Sequence, residues 1–170
     1  MQNEEFELRT FDGQNFTSKS FADSSFTDCI FKNCNLSGTK FKNTKFHNVS
    51  FVECKMQGLD FSKCSLFGLS VSFQDCFISL TLFSNTDLRN TSFSGSQVVD
   101  CEFIEVNLMR ADFSECTLTN TIFQQVNLQY ANFLDAKNYV IDPTQNNVRK
   151  AKFAYPDVVG LLRCFDVDIE

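Results

Sequence analysis

The 170-residue chain predicts an all-β fold: a coil with four short sides, about 20 residues per turn, closed at its C-terminal end by a short helix. Three observations carry this. A large apolar residue recurs at every fifth position. From Ser24 onward, a residue that is mostly small or β-branched stands two places before each of these. Whole segments then repeat at a spacing of twenty.

The stretch FADSSFTDCIFKNC, residues 21–34, shows the fivefold beat, with Phe21, Phe26 and Phe31 in phase with the earlier Phe6, Phe11 and Phe16. In an α-helix five residues advance about 140°, so these rings would scatter around the circumference and make no stripe. In a flat strand successive fives would point to opposite faces. The backbone must therefore turn regularly and bring each Phe back to one interior.

The apolar centres run Phe6, Phe11, Phe16, Phe21, Phe26, Phe31, Leu36, Phe41, Phe46, Phe51, Met56, Phe61 and Leu66. After a slip of two residues, over 67–73, they resume at Phe73 and continue every fifth residue to Phe133. All 26 centres are Phe, Leu, Ile, Val or Met. From Ser24 onward the column two residues earlier holds Cys, Thr, Ser, Val and Ala, with Leu59 among them, and the residue between the columns is mostly polar. Small-polar-large therefore reads in-out-in, a three-residue extended piece. The two residues after each centre suit a turn. Ala111-Asp112-Phe113, Ala131-Asn132-Phe133 and Ala151-Lys152-Phe153 recur at twenty, so four sides make one coil and like stacks on like.

One domain is expected. Repeat coils fill 4–136, and the slip reads as a bulge or kink in one corner, with Gly68 permitting the bend. Residues 137–150 leave the repeat grammar and read as a loop. Residues 151–155 form the last repeat unit, and 156–170 a helical cap. Pro156 suits a first helical turn. Val158, Val159, Leu161, Leu162 and Phe165 share one helical face. That face covers the open coil end, whose unpaired backbone groups would otherwise template aggregation. Its spare apolar surface can also join two rods end to end.

This grammar resembles the pentapeptide-repeat family, whose motif of small, polar, Leu or Phe, polar and any residue is seen in ADFSE (111–115) and TDLRN (86–90). The resemblance implies a right-handed quadrilateral β-helix. With strands ~4.8 Å apart along the axis, about 6.5 coils make a rod on the order of 30 Å long.

Seven of the eight Cys (29, 34, 54, 64, 76, 101, 116) occupy the small inward column, so they read as small core residues. Parallel side chains one coil apart are too widely spaced for a disulfide. Reduced thiols, with no apolar leader and no apolar run long enough for a membrane span, give a cytoplasmic expectation. No metal, cofactor or catalytic motif is present. The lone His47 follows centre Phe46 and points outward. A filled rod offers no cleft, so an enzyme is not expected.

Charge is the remaining clue. The net is −6, which disfavours direct nucleic-acid binding. Residues 94–135 hold six acids, Asp100, Glu102, Glu105, Asp112, Glu115 and Asp135, against Arg110 alone. They form the candidate acidic surface. Of these only Glu115 and Asp135 share a column, together with Asp75 and with Gly95 between. The first expectation is a non-catalytic scaffold that binds another protein. The resemblance implies a second: an acidic DNA mimic that binds a type II topoisomerase, DNA gyrase or topoisomerase IV, modulates quinolone sensitivity, and dimerises through its C-terminal end. The chain departs from such proteins in lacking long protruding loops.

Overall fold

The computed structural model describes residues 1–168; the last two residues of the expected cap, 169–170, lie outside them. The chain winds into a four-sided, parallel β-solenoid of about seven turns. Each side is a strand of two to four residues or a single bridge. Strands pair with those one coil away, as in Phe6 with Phe26 and Phe26 with Phe46. Side I carries centres Phe6, Phe26 and Phe46, then Leu88, Leu108 and Leu128. Side II carries Phe11, Phe31, Phe51, Phe73, Phe93, Phe113 and Phe133. Side III carries Phe16, Leu36, Met56, Ile78, Val98 and Leu118. Side IV carries Phe21, Phe41, Phe61, Phe83, Phe103 and Phe123. All of these are buried except Phe6, which is half-buried at the rod's end.

The corners explain the period of five. The second residue after almost every centre has a positive φ, from Leu8 (φ 52°) and Asp28 (φ 51°) to Tyr130 (φ 61°). A left-handed residue turns the chain by one side. Asn, Asp and Gly enter this region at least cost, and they dominate the corner positions. Most corner N–H groups donate along the axis to a carbonyl of the next coil, as Asn90 does to Met109 at 3.0 Å.

The small column also bonds along the axis. The Thr44 hydroxyl donates to the Phe21 carbonyl at 2.8 Å, Thr39 to Phe16 at 3.0 Å, and Thr121 to Val98 at 2.9 Å. The thiols of Cys54 and Cys116 do the same to Phe31 at 3.2 Å and Phe93 at 2.9 Å. Thr, Ser and Cys suit this column because they are small and also donate. All seven column cysteines are buried and free, while Cys164 is exposed. Burial pushes the Cys101 thiol up to about 11 and the Cys116 thiol up to about 12.

The slip differs from the expected register at one centre. Leu66 is 43% exposed, and Leu69 packs against the core in its place. Phe51 pairs with Phe73, twenty-two residues on, so the two extra residues are expelled from the coil. They leave as a short bulge with Gly68 at φ 72° and Phe67 at the tip, 95% exposed.

Residues 137–150 stay closer to the rod than a loop would. Lys137 bridges to Thr117 and Asn147 to Asn127, one coil below. Tyr139 and Ile141 bury their side chains where a centre would stand, so apolar filling continues although the fivefold spacing fails. Buried Asn146 ties this stretch down, its Nδ2 donating to the Phe123 carbonyl at 2.9 Å.

The cap is not an α-helix. Residues Asp157–Leu161 and Arg163–Phe165 form two short 3-10 turns. A tighter turn spreads residues spaced for an α-helical face. Val158, Val159 and Leu161 are half-buried, while Leu162 and Phe165 face outward. Gly160 is the buried contact: a Cβ there would meet the Tyr139 carbonyl oxygen at 2.3 Å.

Candidate interaction surfaces

With its core filled, the rod's chemistry is confined to outward columns and corners. No group of acidic, His or Cys residues suited to a metal is found among the described residues. His47 is exposed, and open troughs lie on side II and side IV.

The six acids of the 94–135 window separate into two groups. Asp100 and Glu105 stand at the two corners that bound side IV, and Glu102 points out from that side. Asp112 points out from side II, and Glu115 and Asp135 lie on the corner that follows it. Sides II and IV are opposite, so the six do not form one patch. Two of them are already hydrogen-bonded within the rod. The Asn120 amide donates to Asp100 at 3.1 Å, and that of Asn132 to Asp112 at 2.9 Å. The same Asp-then-Asn stacking, twenty or twenty-one residues apart, joins Asp12 to Asn33, Asp23 to Asn43 and Asp28 to Asn48.

One largely acidic column does exist, on the corner after side II, broken only at Gly95. It runs Glu53, Asp75, Gly95, Glu115 and Asp135, all at positive φ. Their amides continue the axial bonding, with Glu53 donating to Gln74 at 2.9 Å and Asp75 to Ser94 at 3.1 Å. The Asp75 carboxylate leans over Gly95, where a Cβ would sit 2.3 Å from its oxygen. Beside it is the side II trough, lined by Gln74, Ser92, Ser94 and Asp112. Glu53 was not among the residues expected from sequence. Its partner in the column is twenty-two residues away because the slip lies between them.

The corner after side I has the opposite character. In the C-terminal half it runs Asn90, Arg110, Tyr130 and Lys150. The Arg110 guanidinium lies 5.5 Å from the Tyr130 ring centroid, and the Lys150 ammonium 5.3 Å from it. Nothing in the sequence reading singled out this corner, because an acid count weighs residues by window and not by column.

Among the exposed apolar side chains, two groups stand out. Phe77, Leu80 and Leu82 lie together across the corner between sides III and IV. Tyr155, Leu162, Phe165 and Val167 are exposed at the C-terminal end.

Family models agree with this architecture. A family model described as a pentapeptide repeat region matches residues 4–81 and 24–100, and one described as pentapeptide repeats matches 107–137. No curated protein matches the chain. Two trypsin-treated variants of QnrB1, a plasmid-mediated fluoroquinolone resistance protein, superpose with TM-scores of 0.71 and 0.72. Each is 17% identical, over 99% of this chain and 91% of that one, a likeness that shows the fold. HetL, a pentapeptide-repeat protein involved in heterocyst differentiation regulation in Nostoc, gives a TM-score of 0.33 at 13% identity, over 89% of this chain and 88% of its own.

Proposed function

Because this chain belongs to the pentapeptide-repeat family, we propose that it is a non-enzymatic scaffold whose outward columns bind another protein. One observation carries this reading. The interior is filled by stacked Phe, Leu and Cys, so all variable chemistry lies on flat sides at fixed axial spacing. Surfaces of that kind suit a protein partner better than a small molecule, which needs a concave site. The packing of seven thiols as core residues supports a reducing compartment, and we place the protein in the cytoplasm. The test is to immobilise the rod, identify retained proteins, and titrate each purified candidate against the rod by calorimetry. A saturable partner whose affinity changes with outward substitutions supports the scaffold. Absence of any such partner, or turnover of a substrate by the purified rod, would count against it.

A second reading is favoured by the acidic corner and by the QnrB1-like fold: binding to a type II topoisomerase, gyrase or topoisomerase IV, in place of DNA. Charge density ranks it second. Four carboxylates span four coils, ~19 Å at the strand spacing. A DNA duplex carries roughly eleven charges over that length. The decisive assay is gyrase supercoiling with and without a quinolone, using wild type and a Glu53→Gln, Asp75→Asn, Glu115→Gln, Asp135→Asn variant. A salt-sensitive effect lost in the variant supports mimicry. No effect at concentrations well above the enzyme's removes it.

The same proposal includes a second copy at the C-terminal end, supported by exposed Leu162, Phe165 and Val167. Leu162→Glu should halve the mass measured by light scattering. An unaltered mass removes the end-to-end dimer.

A further inference from the structure

We infer that the corner after side I, from the Phe67 bulge to Lys150, is a docking strip for an acidic, extended segment of a partner protein. The inference rests on the scaffold reading and names the surface and the partner's chemistry.

The molecule is acidic overall, with a net charge of −6. Yet this corner has no acid in its C-terminal half, where it reads Asn90, Arg110, Tyr130 and Lys150. Arg149 adds a cation on side I, one residue before the corner. The acids on the two adjoining sides are Asp87, engaged by Arg89 at 2.8 Å, and Asp112 on side II, which accepts from the Asn132 amide at 2.9 Å. Arg110, Arg149 and Lys150 make no ion pair among the described residues, so their charge is unspent.

The two corner cations are also pre-positioned. Arg110 and Lys150 are two coils apart, ~10 Å along the axis. Tyr130 lies between them and contacts both through its ring, 5.5 Å and 5.3 Å away. Cation–π contact limits the sweep of two long side chains, so less freedom is lost when an anion arrives. Tyr130 holds this place at φ 61°, a conformation in which a bulky residue is uncommon.

At the other end of the strip the Phe67 ring is 95% exposed. Its bulge adjoins Asp87, Arg89 and Asn90, which line one depression with Leu66, Gly68 and Leu69. An aromatic at the end of a cationic row is the composition of an interface anchor. It fits a partner segment that offers carboxylates every second coil and an apolar contact at one end.

An extended peptide suits the strip better than nucleic acid. Three unpaired cations are few for phosphate binding, where 6–10 contacts are usual. A duplex is also wide enough to bring phosphates over the acidic corner one side away, with Glu115 and Asp135. A single extended chain avoids that corner.

The test is amide chemical-shift mapping of the full chain with a capped hexaglutamate peptide at low salt, and in parallel with a 12-base-pair duplex. Shifts are expected at residues 67, 89–90, 109–110, 129–130 and 149–150, weakening as salt rises to physiological strength. Arg110→Glu with Lys150→Glu should lower peptide affinity ~10-fold or more, while Arg110→Lys keeps most of it. Tyr130→Asn, which suits the corner backbone, should lower it about threefold. Absence of peptide shifts at millimolar concentration, or shifts confined to other sides, overturns the strip. Duplex saturating the strip at lower concentration than the peptide overturns it in favour of nucleic acid. Either failure leaves the scaffold reading intact if calorimetry finds a partner that another side holds. If no partner is found at all, it is the scaffold reading that fails.

Discussion

The two halves of the rod fill the same cross-section with different residues, and their ring geometry differs accordingly. In the N-terminal half Phe occupies three or four sides of each coil. Its axial stacks tilt by 15° to 29°, and by 61° between Phe41 and Phe61. In the C-terminal half Phe alternates with Leu, Val or Ile, so only sides II and IV carry rings. There the stacks from Phe83 to Phe133 lie within 3° to 10° of parallel, and neighbouring columns meet edge-on at 76° to 90°. A core this narrow holds two flat rings per coil without conflict. With a third or fourth ring most stacks within the N-terminal coils tilt further. Offset-stacked and edge-to-face pairs add about 0.5–1.5 kcal/mol each beyond burial, and both halves make them, with near-ideal angles in the C-terminal half.

The most severe test of that difference is Phe113→Asp. It places a charge between Phe93 and Phe133 with no partner, which costs more than a marginally stable fold can spare. Loss of the cooperative thermal transition is expected. A cooperatively folding variant would disprove the register. A finer test compares Phe103→Leu with Phe46→Leu by chemical denaturation. Phe103 is stacked on both sides, at 3° and 6°, whereas Phe46 has one stacked neighbour, at 24°, below the bulge. The first should cost about 2–3 kcal/mol and the second about 1. Equal costs would mean that ring geometry carries no energy of its own.

Smaller still is the axial hydroxyl ladder. Thr44→Val keeps the shape and removes the 2.8 Å bond to Phe21, which should cost about 1 kcal/mol. Thr121→Val tests the same bond in the other half. The thiols give a pH-dependent counterpart. Burial raises Cys101 from 9.0 to about 11 and Cys116 from 9.0 to about 12, so the unfolded chain loses these protons first. Their contribution is complete below pH 9 and is lost as pH rises toward 12. Stability measured from pH 8 to 11 should therefore fall, and Cys101→Ala with Cys116→Ala should flatten the fall. An unchanged slope would show that these thiols do not set it.

Most of the fold was legible because the interior imposes a strict rule on one residue in five. Twenty-five of the 26 expected centres pack inward; Leu66 is the exception. It failed because an apolar run, Leu66, Phe67 and Leu69, offers several fillers and the coil has room for one. Tyr139 and Ile141 were missed for the complementary reason: they fill the core off the fivefold beat. The cap's apolar spacing matched an α-helix, yet contact between Gly160 and Tyr139 is made by a tighter turn. The surface was less legible. Columns are twenty residues apart before and after the slip but twenty-two across it, which hid Glu53 from its neighbours. The Asp–Asn stacks could have been found, since Asp100 and Asn120, or Asp112 and Asn132, stand twenty apart in sequence.

A coil of fixed length makes changes in chain length quantised. Removing residues 94–113 joins Phe93 to Ser114 in the same register, leaving a rod one coil shorter with its ladders re-formed. Removing five residues instead turns everything downstream by a quarter of the circumference, moving each column to a different side. The two residues at Phe67 and Gly68 do neither, because they are pushed outside the winding. The rod thus behaves as a ruler with a pitch of one strand spacing. Insertions of twenty lengthen it, insertions of five re-index its faces, and insertions of two become protrusions at whatever corner receives them.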